Sequence, residues 1–186
     1  MNADEALDRL KQGNERFRTG RTVGVVFDGP LHEDLIQGQQ PFATLLSCSD
    51  SRVPPEILFD TGLGDMFVIR VAGNVANLSS IASIEYAVRH LGTKLIVVMA
   101  HENCGAVGAA IEGGDAGKHL NHLLSLIQPA LEPPEKDADV IARRNTRVSA
   151  DRMINESDIL RSAVEKDDVK IVTAFFHFSN SEVEFD

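Results

Sequence analysis

Short continuous apolar runs alternate along the chain with segments in which apolar residues recur at helical spacing. Such runs, bounded by Gly, Pro or polar residues, predict buried strands. Strands are predicted over 42–47, 67–71, 95–100 and 170–176, and the alternating residues 182–185 predict an edge strand. Because strands that alternate with helices form parallel sheets, we expect an α/β fold, a mostly parallel central β-sheet flanked by helices.

Helical spacing is clear near the N-terminus, where residues 3–18 predict an amphipathic helix that ends near Gly20. Further helices are predicted over 80–91, 105–112, 120–131, 138–149 and 151–166, and an acidic surface loop over 132–139. Ser79 and Ser80 are the predicted N-caps of the helix over 80–91, since a serine side chain can accept a free N–H of the first turn.

Length and charge narrow the class of protein. The 186 residues predict a single domain over 1–186, with an N-terminal helical arm at 1–37 and an α/β core at 38–186. A formal net charge of −10 argues against nucleic acid or an anionic membrane as a partner. The charged N-terminus lacks the apolar region of a secretory signal, so we expect a cytoplasmic protein with no membrane partner.

Two cysteines and a histidine follow two of the predicted strands. Cys48 comes directly after the first strand, and His101 and Cys104 come directly after the third. Ligands of open α/β sheets bind beyond the carboxyl ends of the strands. If these two strands are neighbours, Cys48, Asp50, His101 and Cys104 converge on one crevice. Two thiolates, an imidazole and a carboxylate form a tetrahedral set that is typical of zinc.

Position alone leaves other interpretations of these residues open. Each cysteine can be a small buried core residue, because free cysteine is among the most buried residue types. The two thiols can form a regulatory disulfide, or one can act as a nucleophile with His101. His101 can also be a hydrogen-bonded histidine at a strand end. The combination of Cys-x-Asp-x-Arg after one strand and His-x-x-Cys-Gly after another favours a metal centre.

Three motifs of the chain together resemble the β-class carbonic anhydrases. They are SCSDSRVPPE at 47–56, GxGDxFVxRVAGN at 62–74 and HxxCGA at 101–106. The resemblance is strong over 38–112 and weaker toward the C-terminus. It implies reversible hydration of CO2 to bicarbonate and a proton by attack of zinc-bound hydroxide. It also implies a homodimer or a dimer-based tetramer.

The resemblance implies roles for the residues of the centre. Cys48, His101 and Cys104 would be the protein ligands of zinc. Arg52 would hold Asp50 away from the metal, so that Asp50 accepts a hydrogen bond from the hydroxide and orients it. If that pair separates, Asp50 would become the fourth ligand and close the site. The alternative for the Asp50–Arg52 pair is a surface ion pair of small energetic value.

The same resemblance places Gln39, Phe67 and Tyr86 in a substrate pocket shared across a dimer interface. It also implies His90 as a proton shuttle, and an unperturbed imidazole pKa near 6.5 suits that work. Phe67 and Tyr86 can equally be core residues, and His90 can instead serve the dipole of its helix. The Gly105 N–H, near a predicted helix N-terminus, is expected to help bind the anionic product.

The chain departs from the family pattern in two places. Leu45 stands where one subgroup has the tryptophan of a noncatalytic bicarbonate site, and segment 174–178 differs from the commoner Tyr-Asp-rich version.

Two rival functions remain open from the sequence. One is hydrolysis of carbonyl sulfide or carbon disulfide on the same scaffold. The other is a nonenzymatic zinc-holding protein in which Asp50 closes the site permanently.

Overall fold

A five-stranded β-sheet crosses the part of the chain that the computed structural model describes, residues 1–24, 29–132 and 135–186. The strands are β1 (Ala43–Ser47), β2 (Met66–Arg70), β3 (Leu95–His101), β4 (Lys170–Phe176) and β5 (Val183–Phe185). Their order in the sheet is β2-β1-β3-β4-β5. The first four are parallel, and β5 pairs antiparallel with β4. The predicted α/β class, the mostly parallel sheet and the C-terminal edge strand are confirmed.

The connections after the two central strands, β1 and β3, run toward opposite edges of the sheet. β1 is followed along the chain by its neighbour β2 on one side, and β3 by its neighbour β4 on the other. β1 and β3 pair with each other, with Ser47 opposite Met99. Because the loops after these two strands diverge, a crevice opens at their carboxyl ends, where such sheets bind ligands. The strands that precede Cys48 and His101 are therefore neighbours, as the predicted metal centre requires.

Helices cover both faces of the sheet. They are α1 (Ala3–Arg18), α2 (Gly29–Gln37), α3 (Pro55–Leu58), α4 (Leu78–His90), α5 (Gly105–Glu112), α6 (Lys118–Ser125), α7 (Ala138–Glu156) and α8 (Asp158–Lys166). Alternate residues of β3 enter two cores. Val97 packs in the core beneath α1, α3, α5 and α7, and Val98 packs in the core beneath α4 and α8. Nowhere in the described ranges does a helix have the length and apolar character that a membrane crossing needs.

Several helix boundaries differ from those predicted. The N-cap of α4 is Asn77, so the predicted caps Ser79 and Ser80 are wrong. The Ser80 N–H donates to the Asn77 side chain at 2.9 Å, and the Asn77 N–H donates to Ser80 Oγ at 2.7 Å. This reciprocal capping box begins the helix two residues earlier than expected. The sequence also failed to predict α2 and the four-residue α3.

The C-terminal helices also divide at other places than predicted. α6 ends at Ser125 rather than 131, and a 3-10 turn at Gln128–Ala130 follows, with its proline in the first turn. α7 continues past residue 149 to Glu156, where Ser157 ends it and caps α8 through the N–H of Leu160. Residues 133–134 of the predicted acidic loop lie outside the described residues.

The N-terminal helix α1 packs against the core of the same chain. Leu10 is fully buried in the core, and Asn14 donates to the Leu58 carbonyl at 3.1 Å and accepts from the Val183 N–H at 2.8 Å. Gly13 allows this close approach, because a Cβ there would lie 1.8 Å from the Phe59 carbonyl oxygen. Part of the predicted arm, residues 25–28, lies outside the described residues.

Candidate metal centre

Three potential metal ligands meet at the crevice between β1 and β3. Cys48 is the first residue after β1, His101 is the last residue of β3, and Cys104 is the N-cap of α5. All three are buried, and their ligand atoms lie within 4.8 Å of one another. The two sulfur atoms are 4.0 Å apart. The structure therefore assembles the Cys-His-Cys group that the sequence predicted.

The donor set fits zinc. His101 Nδ1–H donates to the Glu102 carbonyl at 2.8 Å, which leaves the lone pair on Nε2. That Nε2 is buried and has no hydrogen-bond partner among the described residues. Two thiolates, each about 2.3 Å from a tetrahedral zinc, lie about 3.8 Å apart, which is close to the sulfur separation here. An orphaned imidazole nitrogen beside two thiols is the arrangement that a metal ion would satisfy.

Two backbone N–H groups point at the Cys48 sulfur. The Gly73 N–H donates at 3.3 Å and the Asp50 N–H at 3.4 Å. The hydrogen bond between the thiols lowers the pKa of Cys48 and raises that of Cys104, and both backbone donors lower the pKa of Cys48 further. Gly73 has a φ of 67°, and a Cβ there would lie 2.9 Å from Ile127 Cδ1, so glycine alone suits this donor.

Helix α7 holds the loop that carries Gly73. Asn145 Nδ2 donates to the Gly73 carbonyl at 2.7 Å, and Ser149 Oγ donates to the Asn74 carbonyl at 3.0 Å. Both side chains are buried. A polar face of α7 thus fixes the peptide whose N–H contacts Cys48. No local pattern in the sequence indicates this contribution, because only the folded chain brings residues 145 and 73 together.

Asp50 and Arg52 form the predicted ion pair beside the Cys-His-Cys group. Arg52 Nε donates to Asp50 Oδ1 at 3.0 Å and Nη2 donates to Oδ2 at 2.7 Å. The Arg52 hydrogen bonds hold the pKa of Asp50 well below its usual range. Asp50 Oδ2 also lies 3.9 Å from His101 Nε2. An ionised carboxylate therefore stands next to the place where a metal would bind.

Arg70, at the end of β2, holds the backbone of the Asp50 loop. Its Nε donates to the Cys48 carbonyl at 3.0 Å, and its Nη2 donates to the Asp50 carbonyl at 2.5 Å. Arg70 had no predicted role, although it belongs to one of the three sequence motifs. The signal was a charged residue at the end of a strand whose other residues are apolar.

Four of the predicted pocket and proton-shuttle residues, Gln39, Phe67, Tyr86 and His90, are more exposed than the three potential metal ligands. The ring of Tyr86 lies 6.1 Å from that of Phe67 and 5.1 Å from that of His90, measured between centroids. Gln39 and His90 line a cavity of about 490 Å³, whose lining residues do not include the Cys-His-Cys group. Gly105 is the first residue of α5, next to Cys104. Within one chain, Gly105 thus lies beside Cys104, while Tyr86 contacts Phe67 and His90, and Gln39 lines a cavity with His90.

Residues 43–183 match the family model described as "Carbonic anhydrase". The chain belongs to the carbonic anhydrase family. Carbonic anhydrase 2 of Mycobacterium tuberculosis (strain CDC 1551 / Oshkosh) is 43% identical over 130 residues, which cover 68% of this chain and 63% of that relative. The chain therefore spans less than two thirds of the length of the mycobacterial carbonic anhydrase.

Two further relatives extend the family match along the chain. The carbonic anhydrase of Emericella nidulans is 37% identical over 165 residues, covering 87% of this chain and 71% of that protein. A solved structure from work on two tetrameric β-carbonic anhydrases of Sordaria macrospora superposes with a TM-score of 0.75. It is 25% identical and covers 83% of this chain and 84% of its own. The resemblance to the β class, predicted from the three motifs, is confirmed.

Proposed function

We propose that this protein is a zinc-dependent carbonic anhydrase that reversibly hydrates CO2 to bicarbonate and a proton. One observation carries the proposal: a buried Cys-His-Cys group lies next to the ionised Asp50–Arg52 pair, and its His101 Nε2 has no hydrogen-bond partner in the part of the chain that the structure describes. Membership of the carbonic anhydrase family supports the same activity. A position left free beside three protein ligands is characteristic of catalytic rather than structural zinc.

Cys48, His101 and Cys104 would hold the zinc ion. When bound, zinc lowers the pKa of a coordinated water toward neutrality and so supplies the nucleophile that CO2 needs. The chain's own contribution is to orient these ligands. The Glu102 carbonyl fixes the His101 tautomer, and the Gly73 N–H stabilises the charge on Cys48.

Asp50 would orient the attacking water. Because its carboxylate is held ionised by Arg52, it can accept a hydrogen bond at neutral pH but cannot donate one. Accepting that bond would point a lone pair of the water oxygen toward the CO2 carbon. Arg52 would keep the carboxylate oriented for this purpose through its two parallel hydrogen bonds.

A second copy of the chain would complete the substrate pocket. Gln39, Tyr86 and His90 are exposed, and Phe67 is only partly buried. Such a set fits the wall of a pocket that closes when two copies associate, with apolar rings for CO2 and an amide for bicarbonate. The Gly105 N–H would bind the anionic product. The tetrameric assembly of the Sordaria macrospora relatives supports a homodimer or a dimer-based tetramer here.

His90 would carry protons away from the pocket, because it is exposed at the end of α4 and its ring lies beside Tyr86.

The ligand role of both thiols requires that they stay reduced. Both cysteines are free in the structure. This requirement supports a cytoplasmic location, where thiols are kept reduced.

Stopped-flow CO2 hydration by protein with a measured zinc content tests the activity, with carbonyl sulfide as a parallel substrate. Asp50→Asn should retain zinc and lose at least about tenfold in kcat/KM, because the amide no longer offers two charged acceptor oxygens. Asp8→Asn, which removes an exposed carboxylate from α1, is the matched control and should keep full activity. One zinc per chain without CO2 turnover at pH above 8 would refute the proposed function.

A further inference from the structure

Phe178, in the segment that follows β4, contacts both the Cys-His-Cys group and the Asp50–Arg52 pair. The ring of Phe178 meets the imidazole of His101 edge to face, with centroids 5.8 Å apart. The guanidinium carbon of Arg52 lies 4.4 Å from the centroid of the same ring. One aromatic side chain thus touches a proposed metal ligand and the arginine that pairs with Asp50.

Glu102 anchors Phe178 in this position. Its Oε2 accepts the Phe178 N–H at 2.7 Å, and its Oε1 accepts from His177 Nδ1 at 3.0 Å. The backbone carbonyl of Glu102 accepts the His101 Nδ1–H. A single residue therefore orients the ligand His101 and the backbone that carries the Phe178 ring. Phe176 supports that ring from the side at a centroid distance of 5.2 Å.

Arg52 needs such support to hold Asp50. Its side chain is 52% exposed, so water competes for the guanidinium and the long side chain is free to change rotamer. The face of an aromatic ring attracts a guanidinium and restricts it to one plane. In this structure the ring of Phe178 supplies that face, while Arg52 donates its two hydrogen bonds to Asp50.

Asp50 lies within short reach of the metal position. Two ligand atoms bound at about 2.0–2.1 Å to a tetrahedral zinc lie about 3.3–3.4 Å apart. Asp50 Oδ2 lies 3.9 Å from His101 Nε2. A small displacement would bring Oδ2 to the fourth position of the metal and exclude water or an anion from it.

We propose that Phe178 is a positioning residue: by stacking on Arg52, it keeps Asp50 in its ion pair and the fourth position of the metal open. This inference rests on the proposed function, because it assumes a metal on Cys48, His101 and Cys104. It assigns to the C-terminal segment, outside the three family motifs, control over access to the centre.

The test is azide binding to Co²⁺-loaded protein, followed by visible absorption, since azide needs the fourth position that Asp50 would occupy. Phe178→Leu keeps an apolar side chain but removes the ring face, and should weaken azide binding roughly two- to five-fold. Phe178→Tyr keeps the ring and should bind azide as the unmodified protein does. Phe185→Leu, which removes a ring that contacts Phe59 instead, is the matched control.

The same measurement in the Asp50→Asn background separates positioning from packing. An amide is a poor metal ligand, so Phe178→Leu should have no further effect on azide affinity there. Equal weakening in both backgrounds, or no weakening in either, would overturn the inference. Failure to bind Co²⁺ would overturn the proposed metal centre as well. Full Co²⁺ loading with CO2 turnover, but unchanged azide affinity in Phe178→Leu, would overturn the role of Phe178 alone.

Discussion

At the candidate metal centre, backbone groups of the chain contact or flank each proposed ligand. The Cys48 sulfur accepts an N–H from Gly73, and His101 Nδ1–H donates to the neighbouring Glu102 carbonyl. Cys104 is the N-cap of α5, where the positive end of the helix dipole would favour its thiolate once a metal binds. Since these backbone groups are fixed by the fold, the three side chains are prepared for a metal before it binds.

Loss of one sulfur ligand should therefore cost most of the metal affinity. Cys48→Ser or Cys104→Ser is expected to lower zinc affinity by more than about 100-fold, because a hydroxyl replaces a charged thiolate. Competition with a chromogenic chelator measures this. Ser49→Ala, an exposed neighbour of Cys48, should bind zinc normally. If both serine variants retain zinc through dialysis against the chelator, these cysteines are not its ligands.

Among the helices, α1 is joined to the end of α3 through the carboxylate of Asp60. Arg16 Nε donates to Asp60 Oδ2 at 2.6 Å. The N–H groups of Val23 and Gly24 donate to the same carboxylate. Burial raises the pKa of Asp60, but these partners outweigh it, and the net effect is a lowered pKa. The ionised carboxylate thus ties the N-terminal helix to the core.

Asp60 should make the stability of the fold depend on acid pH. Its pKa is lower in the folded than in the unfolded chain, so its contribution is complete above about pH 4 and is lost as pH falls through the folded-state value. Asp60→Asn is expected to lower the free energy of unfolding by about 1–2 kcal/mol at pH 7 and by less at acid pH. Urea unfolding at pH 7 and pH 3 measures the difference.

Asp151→Asn is the control for this measurement, because Asp151 is exposed on α7. It should change the free energy of unfolding by less than about 0.5 kcal/mol at both pH values. A loss in Asp60→Asn that is the same at pH 7 and pH 3 would show that packing, not charge, carries the effect.

The sequence predicted the strands and the Cys-His-Cys group because both depend on local signals. A continuous apolar run marks β3, and a cysteine or histidine at a strand end needs only the sheet to bring it to the crevice. Contacts between distant side chains leave no such signal, so the contacts of Asn145 and Phe178 emerged only from the structure. The break between α7 and α8 was misplaced because neither glycine nor proline marks it.

Across the whole molecule, burial is uneven over the sheet. Every residue of β1 and β3 is buried, whereas every residue of the edge strand β2 is only partly buried. Next to β2, α4 exposes Leu78 by 86% and Tyr86 by 48%. Exposed apolar side chains on a helix that lies beside a sheet edge fit an association surface. This uneven burial supports the proposed pairing of two copies through β2 and α4.

A charge on this surface should disfavour association. Tyr86→Asp is expected to weaken the dimer by at least about tenfold, since aromatic anchors dominate interface energy and a buried carboxylate lacks a partner there. Light scattering after size-exclusion chromatography over a range of concentrations measures the shift. Val164→Asp, an exposed apolar residue of α8, should leave the oligomer intact. Equal masses for both variants would contradict association through α4.

The pairing register of β1 and β3 determines whether the proposed metal ligands come together. It sets Ser47 opposite Met99, one step before Cys48 and two before His101. A slip of one residue would shift Cys48 by about 3.3 Å and turn its sulfur to the opposite face of the sheet. Misaligned chains would then lack a complete ligand group. If the centre binds a metal as proposed, the fraction of metal kept after refolding would measure the fraction of chains with the correct strand register.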